Sequence, residues 1–331
     1  MRDKKIAVVI LNWNGAKLLE QFLPSVTAYS AEANVYVADN ASTDNSIAVI
    51  KEQFPSVTII QNDGNYGFAK GYNVALQQVE EEYYALVNSD IEVTEDWLAP
   101  ILSLFDSEPN IGIIQPKILD YKNKEYFEYA GAAGGFIDQF GYPYCRGRIF
   151  DHIEKDKGQY DDEIGIFWAS GACFFIRKEI YRKLSGFDDD FFAHQEEIDL
   201  CWRAFNLGYT AKYTSKSVVY HVGGATLNES NPKKTFLNFR NSLLMLAKNL
   251  PENKLFPIIL ARIVLDGLAG IQFIFKGKFT HCWAIVKAHF HFYILINKTL
   301  KKRKSPQAYN YYRSKSIVYK YFLKNGTVFD L

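Results

Sequence analysis

The chain has 331 residues, of which 48% are hydrophobic and 16% aromatic, so it is long enough for one large globular domain with an appendage. Its four cysteines are scattered without a Cys-x-x-Cys pair, which argues against a zinc site or a disulfide framework and fits a reducing cytosol. The net charge of +1 conceals a division, because residues 1–231 carry 20 Lys/Arg against 34 Asp/Glu (−14) and residues 232–331 carry 18 against 3 (+15).

The first hundred residues alternate between short apolar runs and helical patterns. The runs at 6–11, 35–38, 57–60 and 83–87 predict strands, and apolar spacing predicts helices over 16–28, 46–54 and 67–79. The first strand begins so close to Met1 that no signal peptide is expected. This order predicts an α/β fold with a mostly parallel sheet and helices on both faces.

The pattern of residue types changes twice in the later part of the chain. From about 110 to 170 the pattern loosens into short strands and glycine-rich loops, and helices are expected over 178–184 and 196–207. From about 235 the chain becomes helical, aromatic and basic. We therefore predict a first domain of residues 1–235, with halves 1–110 and 111–235, and a helical region of residues 236–331.

Amide and carboxylate side chains follow the first two predicted strands. Asn12 and Asn14 end the first, and Asp39, Asn40 and Asp44 follow the second. Parallel strands end at a common sheet edge where α/β proteins bind ligands, so these side chains can contact a base or a ribose. The alternative is N-capping of the next helix, which Asp44 could provide. Gly-x-Gly-x-x-Gly and Walker sequences are absent, which disfavours nicotinamide-binding and P-loop proteins.

A glycine cluster follows the third strand, with Gly64, Gly67 and Gly71 interleaved with Asn65 and Asn73. Glycines permit close backbone approach, and a helix that begins here could direct its N-terminus at phosphate oxygens. For Gly71 the alternative is simple packing.

The fourth strand ends at Asn88-Ser89-Asp90. A carboxylate at the sheet edge suits a hard divalent cation held against a diphosphate. The alternative is an ordinary turn, because all three residue types are common in turns.

Residues 188–199 contain six carboxylates, which repel one another unless a cation, an arginine or solvent separates them. In a helix that begins near Glu196, Asp199 and Arg203 lie four residues apart and can pair. Glu196 and Glu197 then lie at the helix N-terminus, as catalytic groups or only as complements to the helix dipole.

His221 follows a strand-like run and could complete a metal shell or contact a phosphate, although a lone histidine is more often structural.

Together these segments resemble family 2 glycosyltransferases, and within them the bacterial rhamnosyltransferase-like subgroup that builds cell-surface polysaccharides. The resemblance covers about residues 4–245 and implies the GT-A fold for the first domain. It also implies that residues 1–110 are the nucleotide-sugar-binding half (the donor half) and residues 111–235 the acceptor and catalytic half (the acceptor half). The matching segments, in the family's order, are Asn12-Trp13-Asn14-Gly15, Asp39-Asn40-Ala41-Ser42-Thr43-Asp44, Asn65-Tyr66-Gly67-Phe68-Ala69, Asn88-Ser89-Asp90, Gly171-Ala172-Cys173-Phe174, Glu196-Glu197-Ile198-Asp199-Leu200 and His221-Val222-Gly223-Gly224.

The resemblance also implies roles. The donor-binding residues it implies are Asn12, Asn14, Asp39, Asn40, Asp44, Asn65, Gly67, Asn73, Asn88 and Ser89. Asp90 would bind Mg²⁺ or Mn²⁺ bridged by the diphosphate, and His221 would help hold the metal or the pyrophosphate. The family's general base is an Asp at the position of Glu197, with Glu196 and Asp199 as alternates here. The metal motif begins with Asn88 instead of Asp, so cation affinity without the donor should be low.

The implied reaction is a metal-dependent, inverting transfer of a sugar from a UDP- or dTDP-linked donor to a lipid-linked or polysaccharide acceptor for the cell envelope. Two other functions stay open. A sugar nucleotidyltransferase would need a basic, glycine-rich phosphate loop after the first strand, which the chain lacks. An inactive carbohydrate- or lipid-binding scaffold is disfavoured by the intact Asp90, Glu197 and His221.

Two apolar stretches, 255–275 and 282–300, dominate the C-terminal region. They fit amphipathic helices at a membrane interface, and the basic run 301–304 would attract an anionic leaflet. We therefore expect a peripheral protein on the cytoplasmic face of the membrane, with no nucleic-acid partner. Arg262 and Asp266 can pair four residues apart, and their charges disfavour a true span. The alternatives are helices packed on the first domain or a homodimer contact.

Overall fold

The structure, a computed structural model, describes residues 4–223, 231–304 and 306–329. Gly224, the last residue of the predicted His221 segment, lies outside the described residues.

Thirteen strands form within the described residues. They are β1 (Ile6–Asn12), β2 (Ala33–Asp39), β3 (Thr58–Gln61), β4 (Tyr83–Asn88), β5 (Ile91–Val93), β6 (Ile111–Asp120), β7 (Gly135–Ile137), β8 (Pro143–Cys145), β9 (Arg148–Ile149), β10 (His152–Ile153), β11 (Glu163–Ile166), β12 (Cys173–Arg177) and β13 (Thr210–His221).

Ten α-helices form within the same ranges. They are α1 (Ala16–Ala28), α2 (Ser46–Gln53), α3 (Gly67–Ala75), α4 (Ala99–Ser107), α5 (Lys178–Lys183), α6 (Glu196–Asn206), α7 (Pro232–Asn249), α8 (Glu252–Phe275), α9 (Phe279–Lys301) and α10 (Ile317–Lys324).

The central sheet has nine strands in the order β11-β13-β6-β12-β4-β1-β2-β3, with β5 beside the end of β13. Strands β3, β2, β1 and β4 are parallel, and β12 lies antiparallel between β4 and β6. Strand β13 is parallel to β6 and antiparallel to β5 and β11. Six of the nine strands therefore run in one direction, which confirms the predicted mostly parallel sheet. Strands β7–β10 form a separate antiparallel sheet.

Both faces of the central sheet are buried, as the apolar runs predicted. Along β1, Ala7 and Val9 join one core and Val8 and Ile10 the other, because successive strand residues point to opposite faces. Helices α1, α2 and α4 contribute to the second core, and α3, α5, α6 and α7 to the first.

Two elements differ from the predicted pattern. The third predicted helix, 67–79, ends at Ala75 and continues as one turn of 3₁₀-helix over Leu76–Gln78. Strand β6 lies in the region predicted to be loose, and nine of its ten residues are buried. A strand covered on both faces shows no alternation of polar and apolar residues, so the period-two signal was missing.

Helix α7 is joined to α6 by the buried carboxylate of Asp199. It accepts hydrogen bonds from Arg203 Nε at 2.8 Å, Lys248 Nζ at 2.7 Å and Asn249 Nδ2 at 2.8 Å. The predicted Asp199–Arg203 pair is thus confirmed. The partners on α7 could not be anticipated because they lie about fifty residues away in sequence.

Helices α8 and α9 form an antiparallel hairpin whose inner side carries the polar groups. The predicted pair of Arg262 and Asp266 is confirmed at 3.3 Å, and both side chains are buried. Asp266 also lies 3.1 Å from His289 Nε2 on α9 and 3.2 Å from the Tyr142 hydroxyl. The hairpin therefore buries the charges of Arg262 and Asp266 against the first domain.

Replacing Asp199 with Asn should lower the free energy of unfolding by about 3–5 kcal/mol, because the buried charge of Lys248 and the half-buried charge of Arg203 lose a common counter-ion. Urea unfolding followed by circular dichroism measures this difference. Glu125→Gln is the control, since its pair with Lys155 is exposed and should leave stability nearly unchanged. Equal unfolding midpoints for the two variants would contradict the structural role of Asp199.

Candidate active site

The register of β13 brings Asp90 and His221 together. Strand β4 ends at Asn88, a two-residue turn holds Asp90, and β5 then pairs with β13 so that Ile91 lies opposite His221. The two side chains are buried, with His221 Nε2 3.1 Å from Asp90 Oδ1. The two groups predicted to hold a cation are therefore neighbours.

Glu128 lies on the other side of the same imidazole. Its Oε1 is 3.1 Å from His221 Nδ1, an ion-pair contact without the alignment of a hydrogen bond. Burial alone lowers the pKa of His221, but the charges of Glu128 and Asp90 outweigh burial and raise that pKa to about 10. No sequence pattern identified Glu128, because it reaches the site only through the backbone pairing of residue 128 with Ile118 on β6.

Asp90 and His221 have the chemistry of a two-ligand cation site. A carboxylate and an imidazole nitrogen converge, and a second carboxylate on the far ring nitrogen is the usual partner of a metal-bound histidine. Because its pKa is raised, His221 must release a proton before it can act as a ligand. Within the described residues no group of three or more His, Cys, Asp or Glu side chains is arranged to hold an ion. The donor set therefore fits a divalent cation that takes its remaining oxygen ligands from elsewhere, such as a diphosphate.

The polar residues after β1 and β2 form a buried network instead of a set of free side chains. Asp39 Oδ1 accepts hydrogen bonds from Asn12 Nδ2 at 2.9 Å and Ser42 Oγ at 2.6 Å, and Ser42 N donates to Asp39 Oδ2 at 2.8 Å. Asn12 and Asp39 are each about 1% exposed. Asn12 Oδ1 has no hydrogen-bond partner within the described residues, so one acceptor is left over.

The neighbouring residues Asn14 and Asp44 are exposed and hold two turns together. Asn14, at a positive φ of 52°, accepts a hydrogen bond from Thr43 N at 2.7 Å. Asp44 accepts from Ala16 N at the start of α1 and from Ser46 N at the start of α2, both at 3.0 Å. The capping alternative therefore describes the contacts of Asp44 in this structure.

Gly67 lies where the donor half meets the segment before α6. Its φ is +71°, and a Cβ at this position would lie 2.7 Å from the Phe192 ring, so only glycine fits. Asn65 Oδ1 accepts from Gly67 N at 3.0 Å, and Asn40 Nδ2 donates to Gly67 O at 2.9 Å. Three predicted donor residues thus surround one helix N-terminus.

Asn73 is engaged differently from the other predicted donor residues. Its Nδ2 donates to Phe187 O and Asp189 Oδ1, and its Oδ1 accepts from Tyr181 and from Phe187 N. These contacts tie α3 to the loop before α6.

Asn88 and Ser89, between β4 and Asp90, are half-buried at the same sheet edge. Asn88 N donates to Ala172 O at 2.9 Å, which brings the segment before β12 alongside the end of β4.

Glu197 lies beside this junction. A Cβ on Gly171 would be 3.7 Å from the Glu197 carboxyl carbon and 3.6 Å from the Phe68 ring, so Glu197 occupies the space next to Gly171. Because Gly171 adjoins Ala172, Glu197 is placed at the end of β4 that also holds Asp90. The segments of Asn88–Asp90, Gly171–Ala172 and Glu197, remote in sequence, are therefore brought together.

The two glutamates at the start of α6 have different electrostatic settings. Burial raises the pKa of Glu196 well above its usual range, and the neighbouring charge of Glu197 raises it further. Burial raises the pKa of Glu197 to about 7, opposed by backbone N–H groups at the helix start. Glu196 is 4% exposed and Glu197 is half-buried. Of the pair, Glu197 is the one that ionises near neutral pH.

Asp199, the second alternate base, is fully enclosed by α6 and α7 and all its contacts are to Arg203, Lys248 and Asn249. The structure does not bring it to the junction of Gly171 and Asn88.

Cys145 is buried near Arg148, whose Nη2 lies 3.5 Å from its sulfur. Burial raises the pKa of the thiol, and Arg148 opposes this increase.

Comparison with known proteins gives matches to one family. The profile described as glycosyl transferase family 2 matches residues 7–185, more than half of the chain. The chain is 23% identical over 232 residues to N-acetylglucosaminyl-diphospho-decaprenol L-rhamnosyltransferase of Mycobacterium tuberculosis, covering 65% of this chain and 75% of the relative. It is 21% identical over 292 residues to the low-salt glycan biosynthesis hexosyltransferase Agl10 of Haloferax volcanii, covering 82% and 86%.

Solved structures show the same fold. GalNAc-T7 with UDP, GalNAc and Mn²⁺ superposes with a TM-score of 0.61 at 15% identity, over 77% of this chain and 50% of that one. TarS 1-349 of S. aureus with UDP-GlcNAc gives a TM-score of 0.58 at 16% identity, over 90% and 84%. The mannosyltransferase PcManGT of Pyrobaculum calidifontis, with GDP-Man and Mn²⁺, gives 0.54 at 16%, over 88% and 75%. The predicted GT-A type fold and glycosyltransferase class are thus confirmed, and this chain belongs to glycosyl transferase family 2.

Proposed function

We propose that the protein is an inverting, divalent-cation-dependent glycosyltransferase. It moves a sugar from a UDP- or dTDP-linked donor to a hydroxyl of a lipid-linked or polysaccharide acceptor in cell-envelope glycan synthesis. The observation that carries the proposal is the placement of Glu197 beside Gly171, at the sheet end that also holds Asp90 and His221. The rhamnosyltransferase relative, whose name specifies a diphospho-decaprenol acceptor, supports the acceptor class.

Glu197 is the proposed general base. A base must be ionised to accept the acceptor's hydroxyl proton, and of the two adjacent glutamates Glu197 loses its proton first. Attack of that hydroxyl on the anomeric carbon, on the face opposite the leaving diphosphate, inverts the configuration. Glu196 is buried and stays protonated, so it does not compete for the proton. General-base assistance of this kind contributes about 10²–10⁴-fold in rate.

The cation would be held by Asp90 and His221, with Glu128 fixing the imidazole. When bound, Mg²⁺ or Mn²⁺ would neutralise the charge that develops on the departing diphosphate. Because this chain supplies two side-chain ligands, we expect the cation to bind together with the donor.

The donor would lie over the ends of β1, β2 and β4. The exposed Asn14 and Asp44 and the half-buried Asn88 and Ser89 offer polar atoms there. Asn12, Asp39 and Asn40 would act mainly by shaping the pocket floor, because most of their polar atoms are already paired. Asn65 and Gly67 would place the start of α3 near the diphosphate, and Asn73 would hold the loop that leads to Glu197.

The hairpin of α8 and α9 is the proposed membrane contact. On α8 the exposed large apolar residues recur every three or four positions, at Phe256, Leu260, Val264, Leu268, Ile271, Ile274 and Phe275. On α9 the corresponding positions are Phe279, Trp283, Val286, Phe290, Tyr293 and Ile294. An apolar face of this extent is unusual on a soluble monomer and marks an interaction surface.

The charges around that face favour an anionic lipid surface over a second protein chain as the binding partner. Lys276 and Lys278 at the turn and Lys287 on α9 are exposed, whereas the carboxylate between residues 253 and 301, Asp266, is buried and paired. A basic rim around an apolar face matches an anionic leaflet. Among the described residues, α8 is the one helix with the length and composition of a membrane span. Its buried Arg262 and Asp266 favour a hairpin that lies in the interface. We therefore place the enzyme on the inner face of the membrane.

Glu197→Gln should lower kcat for sugar transfer at least about 100-fold, because the amide cannot accept the hydroxyl proton. Donor affinity, measured by isothermal titration with the nucleotide sugar and Mn²⁺, should stay within about twofold since Glu197 faces the acceptor. Glu52→Gln, at an exposed position on α2, is the charge-matched control. Unchanged turnover of Glu197→Gln would rule out the assigned base.

The pH profile tests the ionisation of the same group. Below a pKa of about 7 the ionised fraction of Glu197 falls tenfold per pH unit, so kcat/KM should rise with slope one up to about pH 7 and then level off. Initial rates between pH 5.5 and 8.5 measure this. A flat profile over that range would contradict a base with a raised pKa.

Chelation by EDTA should abolish transfer, and Mn²⁺ should restore it. In Asp90→Asn the Mn²⁺ concentration for half-maximal rate should increase at least about tenfold, because the site loses its one carboxylate ligand. Asp96→Asn, an exposed position six residues away, should behave as the wild type. Full activity of the wild type in EDTA would remove the metal from the mechanism.

Flotation with vesicles containing phosphatidylglycerol tests the membrane face. The wild-type chain should float with anionic vesicles, and the double variant Phe275→Glu/Phe279→Glu should stay at the bottom, because both rings are exposed at the hairpin turn. Tyr309→Glu, also an exposed aromatic but outside the hairpin, is the control. A wild-type chain that remains in the soluble fraction as a dimer would show that a second copy covers the face.

A further inference from the structure

The segment that leads into α6 has an unusual backbone. Phe192, His194 and Gln195 have φ values of 64°, 69° and 71°. Residues other than glycine rarely adopt positive φ values. Phe192 has ψ −58°, and Ala193 N donates to Phe191 O at 2.7 Å, the pattern of a classic γ-turn. Such backbone conformations are unfavourable for residues other than glycine, so the surrounding structure must impose them.

This strained segment places unpaired polar atoms at the proposed acceptor side. Four consecutive residues each carry a buried side-chain atom without a hydrogen-bond partner within the described residues: His194 Nε2, Gln195 Oε1, Glu196 Oε2 and Glu197 Oε2. The conformation of the segment therefore decides where these atoms, including the base, are directed.

The amide of Asn241 on α7 holds the carbonyl groups of that segment. Its Nδ2 lies 3.0 Å from Phe191 O, 2.9 Å from Ala193 O and 2.8 Å from His194 O, and its two hydrogens are shared among these acceptors. Asn241 is fully buried. One side chain thus contacts the carbonyl groups of residues 191, 193 and 194, which lie on both sides of Phe192.

Arg240 orients that amide and extends the contact. Its Nε donates to Asn241 Oδ1 at 2.8 Å, which fixes the amide with its nitrogen toward the segment. Its Nη2 donates to Asp190 O at 2.9 Å and Phe191 O at 3.1 Å. On the opposite side, Phe68 N at the start of α3 donates to Phe192 O at 2.9 Å. The segment is therefore held between the donor half and α7.

We infer that Arg240 and Asn241 are positioning residues for the transfer reaction: they impose the backbone of residues 191–195 and so aim Glu197 at the acceptor hydroxyl. The inference rests on the proposed role of Glu197. It also means that the catalytic unit extends past residue 235, because α7 completes the site from the C-terminal region.

Paired variants on one helix test this inference. Asn241→Ala should lower kcat about 10–100-fold and leave the donor KM within about twofold, because a small displacement of the base affects the reaction more than donor binding. Asn249→Ala is the matched control, since Asn249 is also a buried asparagine on α7 but contacts Asp199 and Met245. Its kcat per folded molecule should be unchanged. Arg240→Gln, at a half-buried position, should lower kcat in the same direction if Asn241→Ala fails to fold.

Hydrogen–deuterium exchange supplies a readout that does not depend on activity. Peptides covering 190–196 should exchange faster in Asn241→Ala and Arg240→Gln than in the wild type, whereas Asn249→Ala should leave them unchanged. Unaltered exchange in Asn241→Ala would overturn the positioning role even if the enzyme assay fails for another reason. Faster exchange with an unchanged kcat would instead overturn the link to Glu197.

Discussion

Strand β13 is the constraint on which the site depends, because it pairs with β5 on one side and β6 on the other and ends at His221. The pairing with β5 fixes Asp90 against one ring nitrogen, and the path after β6 brings Glu128 against the other. A shift of one residue in this register would turn His221 to the opposite face of the sheet. Three ionisable groups from distant parts of the chain therefore share one location through backbone hydrogen bonds alone.

Burial, and not strand register, sets the ionisation of Glu196 and Glu197 in the second half of the site. Glu196 and Glu197 are adjacent and partly removed from water, so they do not both ionise readily, and their environments separate their roles. Their position depends on a strained segment that is held from two sides, by the start of α3 and by α7. The acidic residues before that segment are in turn paired with the C-terminal region, where Lys248 and Lys302 contact Asp188. Donor half, acceptor half and C-terminal helices thus meet at one loop.

Residues that follow strands directly could be located from sequence, and residues that depend on long-range pairing could not. Asp90 and His221 each follow an apolar run, the family resemblance implies a shared cation for both, and the structure brings them together. Glu128 follows no such run. For Asp44 the sequence allows either donor binding or capping, and its contacts are those of a cap for two helices. The partners of Asp199 and the role of Asn241 arise from the packing of α7, which leaves no local pattern.

Product analysis of one reaction tests the central claim most directly. The protein is incubated with Mn²⁺, a panel of UDP-, dTDP- and GDP-sugars and a polyprenyl-diphosphate-linked saccharide, and the products are identified by mass spectrometry and NMR. The account predicts release of a nucleoside diphosphate with one sugar added to the acceptor in inverted anomeric configuration. Formation of a nucleotide sugar and pyrophosphate from a nucleoside triphosphate and a sugar 1-phosphate, with no transfer from any donor, would contradict it.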